Sequence, residues 1–189
     1  VWGVLDVALK EWAVVCDLLL EGRLAALLRK GGIHEAGGPG VFELEYSRFL
    51  LFPSWAHQKA QMIKEPYRAR VQELSEPATI TFRGLGEVAR VWQVKDRSRF
   101  DSLEDLHCWT PAHVDMRFGY KPDRPLYLVA VRAYRLRQPK TVANNPEYAG
   151  CKSWVPLRPG DAVDDSGASP VMSQAEFDRL LSRVDRAMS

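Results

Sequence analysis

Cysteine is scarce in this chain of 189 residues: there are three, Cys16, Cys108 and Cys151, far apart and odd in number. That argues against a disulfide framework and suits reduced thiols in a cytoplasmic protein. Metal-ligand spacing is also missing. The chain has no Cys-x-x-Cys and no His-x-x-x-His, and His107 and Cys108 are adjacent, so their side chains point apart. No metal and no other cofactor is expected. No apolar run reaches the ~18 residues of a membrane span. The first dozen residues carry Asp6, Lys10 and Glu11 rather than the unbroken apolar core of a secretory leader. Neither a membrane partner nor export is expected.

Two further absences narrow the chemistry. Gly31-Gly32 and Gly37-Gly38 do not form the Gly-x-Gly-x-x-Gly of a phosphate-cradling turn. None of the eight Lys has Asp or Glu two positions upstream, so the acid-x-Lys pair of restriction-type nucleases is lacking. Glu43-Leu-Glu45 is more simply the solvated face of a strand.

What the chain does have is arginine. Eighteen of its 26 basic residues are Arg, the side chain best suited to bidentate phosphate contacts and to stacking on bases. The charge is also uneven. Residues 1–158 hold 23 Lys+Arg against 18 Asp+Glu, a balance of +5, and residues 159–189 hold 3 against 6, a balance of −3.

Along the chain, Trp12–Glu21 and Arg23–Leu28 read as two strand-like runs about Glu21-Gly22, a hairpin with helix as its competitor. Five glycines and Pro39 make 31–40 a loop. Phe42–Tyr46 alternates, and Arg48–Phe52 stops at Pro53, giving two more strands. Ser54–Gln72 looks helical and polar. Thr79–Phe82 and Gly86–Val94 read as a strand pair, Ser102–Asp105 as a helix start, and Thr110-Pro111 as the N-cap and first position of a helix over 111–118. Leu126–Leu136 is the clearest strand and Cys151–Leu157 a short final one. Residues 158–172 have the Pro, Gly, Asp and Ser of a linker. Ser173-Gln-Ala-Glu176 is a capping box before an amphipathic helix. The tail from 159 is therefore expected to be dispensable for folding.

Aromatic rings beside cations mark the candidate site. Arg29, Lys30 and His34 share one loop, Trp55, His57 and Gln58 follow a strand end, and Lys152 precedes Trp154. Cations suit phosphate, rings suit base stacking, and His or Gln suits a base edge.

Several stretches resemble the bacterial family called domain of unknown function 1802. They are Ala8-Leu-Lys-Glu-Trp12, Leu27-Leu-Arg-Lys-Gly-Gly-Ile-His-Glu35, Phe49-Leu-Leu-Phe-Pro53 with His57-Gln58, His107-Cys-Trp-Thr110, Arg117-Phe118 and Tyr148-Ala-Gly-Cys-Lys-Ser-Trp154. The likeness runs from about 8 to 157 and leaves the tail outside. It implies little about activity beyond an association with restriction-type nuclease domains, hence DNA metabolism or defence. The order of elements is also similar to the ASCH branch of PUA-like β-barrels, whose motif is Gly-x-Lys-x-x-Glu-x-Arg. Gly22 and Arg29 match it, whereas Leu24 and Leu27 stand at its Lys and Glu positions.

The fold expected from these readings is α+β. A small twisted PUA-like (ASCH-like) β-barrel with short peripheral helices spans 1–157, followed by the linker and the C-terminal helix at 173–189. The expected function is nucleic-acid binding, DNA or RNA, including a modified or flipped base, in a restriction, defence or RNA-processing setting with a restriction-type nuclease as partner. In that reading Arg29, Lys30 and Lys152 contact phosphate, Trp55 or Trp154 stacks, and His34, His57 or Gln58 meets a base edge. The alternatives are a small hydrolase of a nucleoside or amide, with His57 or His107 as general base, and a scaffold whose tail helix docks a partner.

Overall fold

The computed structural model describes residues 3–30, 45–150 and 152–189. In chain order its elements are β1 (Val4–Leu5), β2 (Val7–Trp12), α1 (Ala13–Leu20), β3 (Ala26–Lys30), β4 (Arg48–Ser54) and α2 (Glu65–Arg68). Then come β5 (Thr79–Val94), α3 (Arg97–Asp101), α4 (Pro111–Gly119), β6 (Leu126–Ala143), β7 (Trp154–Pro156), β8 (Val163–Asp164), β9 (Ser169–Pro170) and α5 (Gln174–Met188). The fold is mixed α+β and dominated by one sheet.

The run expected to form a hairpin is instead helix α1. All of its residues but Asp17 are buried, and a helix apolar on every side belongs in an interior. Its end explains the misreading. Gly22 has φ +71°, its N–H donates to Leu19 O, and Arg23 N–H donates to Leu18 O. That is a Schellman cap, so the glycine taken for a hairpin turn closes a helix. At the other end, Gln58 Oε1 accepts from Val14 N–H at 2.9 Å.

The sheet runs β3-β6-β5-β4-β2-β7, with β9 added beside β6. Every pair is antiparallel except β2 with β4, where Ala8 faces Leu50 and Trp12 faces Ser54. The expected strand pair at 79–94 is one continuous strand, β5. It matches β6 from Thr79↔Ala143 to Val94↔Leu126 and shifts register at Phe82/Gly84 and Val88/Arg90. Such bulges bend a strand and increase its twist. At Gly84 a Cβ would lie 2.2 Å from Leu20 Cδ2 and 2.4 Å from Tyr134 O. Only glycine lets α1 press this close to the bulge.

Both faces of the sheet are covered. On β4, Phe49 and Leu51 enter one apolar cluster with α1, β3 and Trp154, while Leu50 and Phe52 enter a second with Phe82, Tyr134 and Tyr148. This matches the near-continuous apolar run of β4, which a half-exposed strand would not need.

The expected barrel is not closed: no ladder joins the two ends of the sheet among the described residues. β3 and the penultimate strand β2 are nevertheless close. Four strand intervals separate β3 from β2, about 19 Å in a flat sheet. Yet Arg29 Nη2 on β3 donates to Glu11 Oε2 at 2.7 Å and to Lys10 O at 3.1 Å on β2. The sheet therefore curls, and a side-chain clasp spans its seam.

Residues 158–172 are not a free linker. β8 pairs with β1 and β9 with β6, and Asp165, 1% exposed, accepts from Gly3 N–H and Arg48. The expected capping box is present at the start of α5. This helix lies on the sheet, burying Phe177 with Ala25 and Ala130, while Trp92 Nε1 donates to Asp185 at 3.0 Å. Thr110 and Pro111 start α4 as expected, whereas 54–72 holds only single turns at 60–62 and 65–68. Asp96, not Ser102, caps the short helix near 100. The expected strand at 42–46 falls mostly outside the described residues.

Candidate functional site

A cleft of about 380 Å³ opens at the seam. β2 contributes Lys10, Glu11 and Trp12, β3 contributes Arg29, and α4 contributes Arg117. The turn after β4 adds His57, and Lys152 comes from the segment before β7. The clasp forms its floor: Glu11 and Arg29 are 9% and 12% exposed at the side chain. Arg117 Nη2 donates to Leu28 O on the outer edge of β3 at 3.3 Å. Burial, with the like charge of Arg29 second, holds the Arg117 guanidinium below its ordinary range. Lys10 Nζ donates to Tyr148 O and to Gly150 O, the latter at 3.1 Å.

Below the floor lies a ring stack. Trp12 meets Trp109 edge-on, with centroids 5.0 Å apart, and Trp109 stacks on His113 at 4.7 Å. Burial, then Arg117, pushes His113 down to about 4. His107 is 3% exposed and stacks on Phe100. Burial pushes it down to about 3, helped by the charges of Lys64 and Arg97. It therefore has no open path to a substrate, which removes it as the general base of the hydrolase reading.

The turn Pro53–Gln58 forms one wall. Glu76 fixes it, its Oε1 accepting from the Ser54 hydroxyl, from Trp55 N–H at 3.1 Å and from Ala56 N–H at 2.8 Å. His57 has φ +67°, the left-handed region that costs a side-chain-bearing residue roughly 1–2 kcal/mol. Such strain is commonest at functional sites.

The expected site residues scatter. Arg29, His57 and Lys152 line the cleft together. Lys30 does not, because its Nζ donates to Phe118 O at 2.8 Å and ties β3 to the end of α4. Trp55 lines a second cavity behind the turn. Gln58 is buried, its amide shared between Val14 N–H and Gln72 O, so it fastens α1 rather than reading a base. Trp154, 8% exposed, packs against Tyr46 and Phe49 with centroids 5.1 and 5.3 Å away. It belongs to the core and offers no free face for stacking. His34 lies outside the described residues, as do Gly31, Gly32, Glu43 and Cys151.

The reading from sequence missed Lys10, Glu11, Trp12, Glu76 and Arg117. A signal for four of them was available, because Lys10, Glu11, Trp12 and Arg117 lie within the stretches that carry the family resemblance. Five of those six stretches supply lining residues to this one cleft. Glu76 had no such signal.

A family model, Domain of unknown function (DUF1802), matches residues 8–183. The chain belongs to this family. The match continues through β8, β9 and most of α5, so most of the tail expected to lie outside the family is inside it. Among curated proteins, none matches. Among solved structures, the crystal structure of a mutant of the ASCH protein ZmASCH from Zymomonas mobilis is similar at 9% identity and a TM-score of 0.40, covering 93% of this chain and 94% of that one. Among the described residues no group of His, Cys, Asp and Glu could hold a metal ion, and no helix is long and apolar enough to cross a membrane.

Proposed function

We propose that this chain binds nucleic acid, with the sugar-phosphate backbone lying in the cleft at the seam. The observation that carries this reading is a charge imbalance: among the described residues, Lys10, Arg29, Arg117 and Lys152 face only Glu11 and Glu76 in one cavity. Both carboxylates are engaged, Glu11 by the Arg29 clasp and Glu76 by the turn after β4. Arg117 and Lys152 meet the main-chain carbonyls of Leu28 and Glu147. Arg117 is half-buried, and the carboxylate that acts on it, Glu11, is already engaged by Arg29, so a phosphate adds the missing charge with bidentate geometry at Arg. The +5 balance of residues 1–158 gives the field that draws a polyanion in. Action in the cytoplasm, in restriction, defence or RNA processing beside a restriction-type nuclease, belongs to the same proposal and rests on the family resemblance.

Fluorescence anisotropy with labelled single-stranded and duplex oligonucleotides across ionic strengths tests it. Log affinity falls against log salt by about 0.9 per neutralised phosphate on duplex DNA and about 0.7 on single strands. Lys152→Ala reduces the slope by about one and leaves melting unchanged. No binding at about 50 mM salt, or binding indifferent to salt, overturns the reading.

A further inference from the structure

Behind the Pro53–Gln58 turn lies a larger cavity, about 460 Å³, between α1, β4, the start of β5 and the irregular segment 70–78. Its position follows from the path of the turn. Ser54, Ala56 and His57 line the cationic cleft, whereas Pro53, Trp55 and Gln58 line this cavity. Glu76 faces the cleft and its neighbours Ser75 and Pro77 line the cavity. The two spaces therefore share one thin wall, stitched by the Glu76 carboxylate.

The lining of the second cavity is of another kind. Leu20, Leu51, Ala13 and Val14 make an apolar floor, and the half-buried indole of Trp55 makes a side. At the rim, Asp17 and Arg83 approach to 3.6 Å, setting an acceptor directly beside a donor. Burial raises the Asp17 carboxyl above its usual range, with Arg83 opposing. Arg70, also at the rim, is neutralised by Glu21 at 2.8 Å. With Arg70 and Arg83 in place, a cationic ligand is disfavoured. With Asp17 there and Arg70 already paired, an anion gains little. The chemistry that suits apolar flat walls and an adjacent donor–acceptor pair is a neutral planar heterocycle that presents an amino group next to a ring acceptor.

We propose that this cavity is a nucleobase subsite, taking an amino-bearing base whose phosphate lies across the wall in the cationic cleft. The position of that phosphate rests on the function proposed above, but the base site itself does not. Trp55 contributes the stacking surface, Asp17 accepts from the exocyclic amino group, and Arg83 donates to the neighbouring ring acceptor. A base in a strand and a free nucleoside present the same chemistry here.

Titration of the full-length protein with adenosine, which carries no phosphate, isolates this site from the cleft. Tryptophan fluorescence quenching and calorimetry are the readouts. The expected result is saturable adenosine binding that Lys152→Ala leaves unchanged and Trp55→Ala weakens about 5- to 150-fold. Trp55→Phe retains a ring, so it holds most of the affinity and answers for any misfolding of the alanine variant. Asp17→Asn narrows the preference for adenosine over inosine, which bears a carbonyl in place of the amino group. An oligoadenylate that binds tighter than adenosine, with the excess lost in Lys152→Ala, identifies the strand as the source. Equal affinities identify the free nucleoside. Salt-insensitive oligonucleotide binding alongside intact adenosine binding would reject the cleft reading and keep the base site. The inference is overturned if folded wild-type protein binds no nucleoside at millimolar concentration. It is equally overturned if Trp55→Ala and Trp55→Phe both bind adenosine as wild type does.

Discussion

The sheet is held together by two unlike devices. Along β5 and β6, main-chain hydrogen bonds run from Thr79↔Ala143 to Val94↔Leu126. At the seam between β3 and β2, the Arg29–Glu11 pair and the bond from Arg29 to Lys10 O span the gap. The contrast explains where the proposed site lies. A continuous ladder consumes its main-chain polar groups, whereas a seam closed by side chains keeps charged groups at a gap that a ligand can enter. The ladder supplies rigidity, and the seam supplies the charged side chains of the proposed site.

Three experiments bear on that contrast. The largest effect is expected on the ladder side, where α5 covers the sheet. Deleting residues 174–189 uncovers the partners of Phe177 and Val184, which are 2% and 0% exposed, at roughly 1.5–3 kcal/mol for each side chain. Since domains are stable by about 5–15 kcal/mol, the truncated protein should melt far lower or become insoluble. Unchanged melting would show that the tail is the separate unit its composition suggests.

Next comes the clasp. Arg29→Ala strands the buried Glu11 carboxylate and should cost about 3–5 kcal/mol in urea unfolding, while a paired replacement of Arg29 and Glu11 by apolar residues should cost much less. On the ladder, Thr81→Ala removes a 2.9 Å hydroxyl pair with Thr141 and should cost about 0.2–1 kcal/mol. Equal losses at the two places would erase the distinction between them.

The third experiment changes pH. His107 sits outside the ladder, stacked on Phe100 of α3, and neither β5 nor β6 contains a histidine. Its folded pKa, about 3, is below its ordinary value of 6.5. The folded state therefore stays neutral where the unfolded chain takes up a proton. Its contribution is complete above pH 6.5 and is lost as pH falls toward 3. Near 1.4 kcal/mol per unit, the loss is about 2 kcal/mol between pH 6.5 and pH 5, and His113 adds to it in the same direction. Urea midpoints should fall over that range, and His107→Gln should flatten the slope. A midpoint constant from pH 7 to pH 5 would mean that these rings are charged or exposed.

Local rules made much of the fold legible. Thr110-Pro111, the Ser173 capping box and the apolar run of β6 act within a few residues, and each was read correctly. The failures came where tertiary context decides. Glu21-Gly22 suits a hairpin and a helix C-cap equally, and only the close approach of α1 to Gly84 selects the helix. Trp154 sits beside Lys152 in sequence as a binding residue would, yet its burial depends on Phe49 and Tyr46, about a hundred residues away. Glu76 looked like any exposed acid, because its partners are main-chain N–H groups of a distant turn. Arg29, His57 and Lys152 were legible one at a time. Their meeting was not, since it depends on the sheet curling until β3 faces β2.

The parallel pairing of β2 with β4 also sets an order in time. β2 precedes every other strand of its sheet in the chain, but its second neighbour, β7, and the wall of Tyr148, Ala149, Gly150 and Lys152 follow only after nearly the whole sheet. Non-local pairing of this kind slows folding. Lys10 and Arg29 therefore acquire the wall that faces them last, when β7 joins β2 and the cleft takes its final shape.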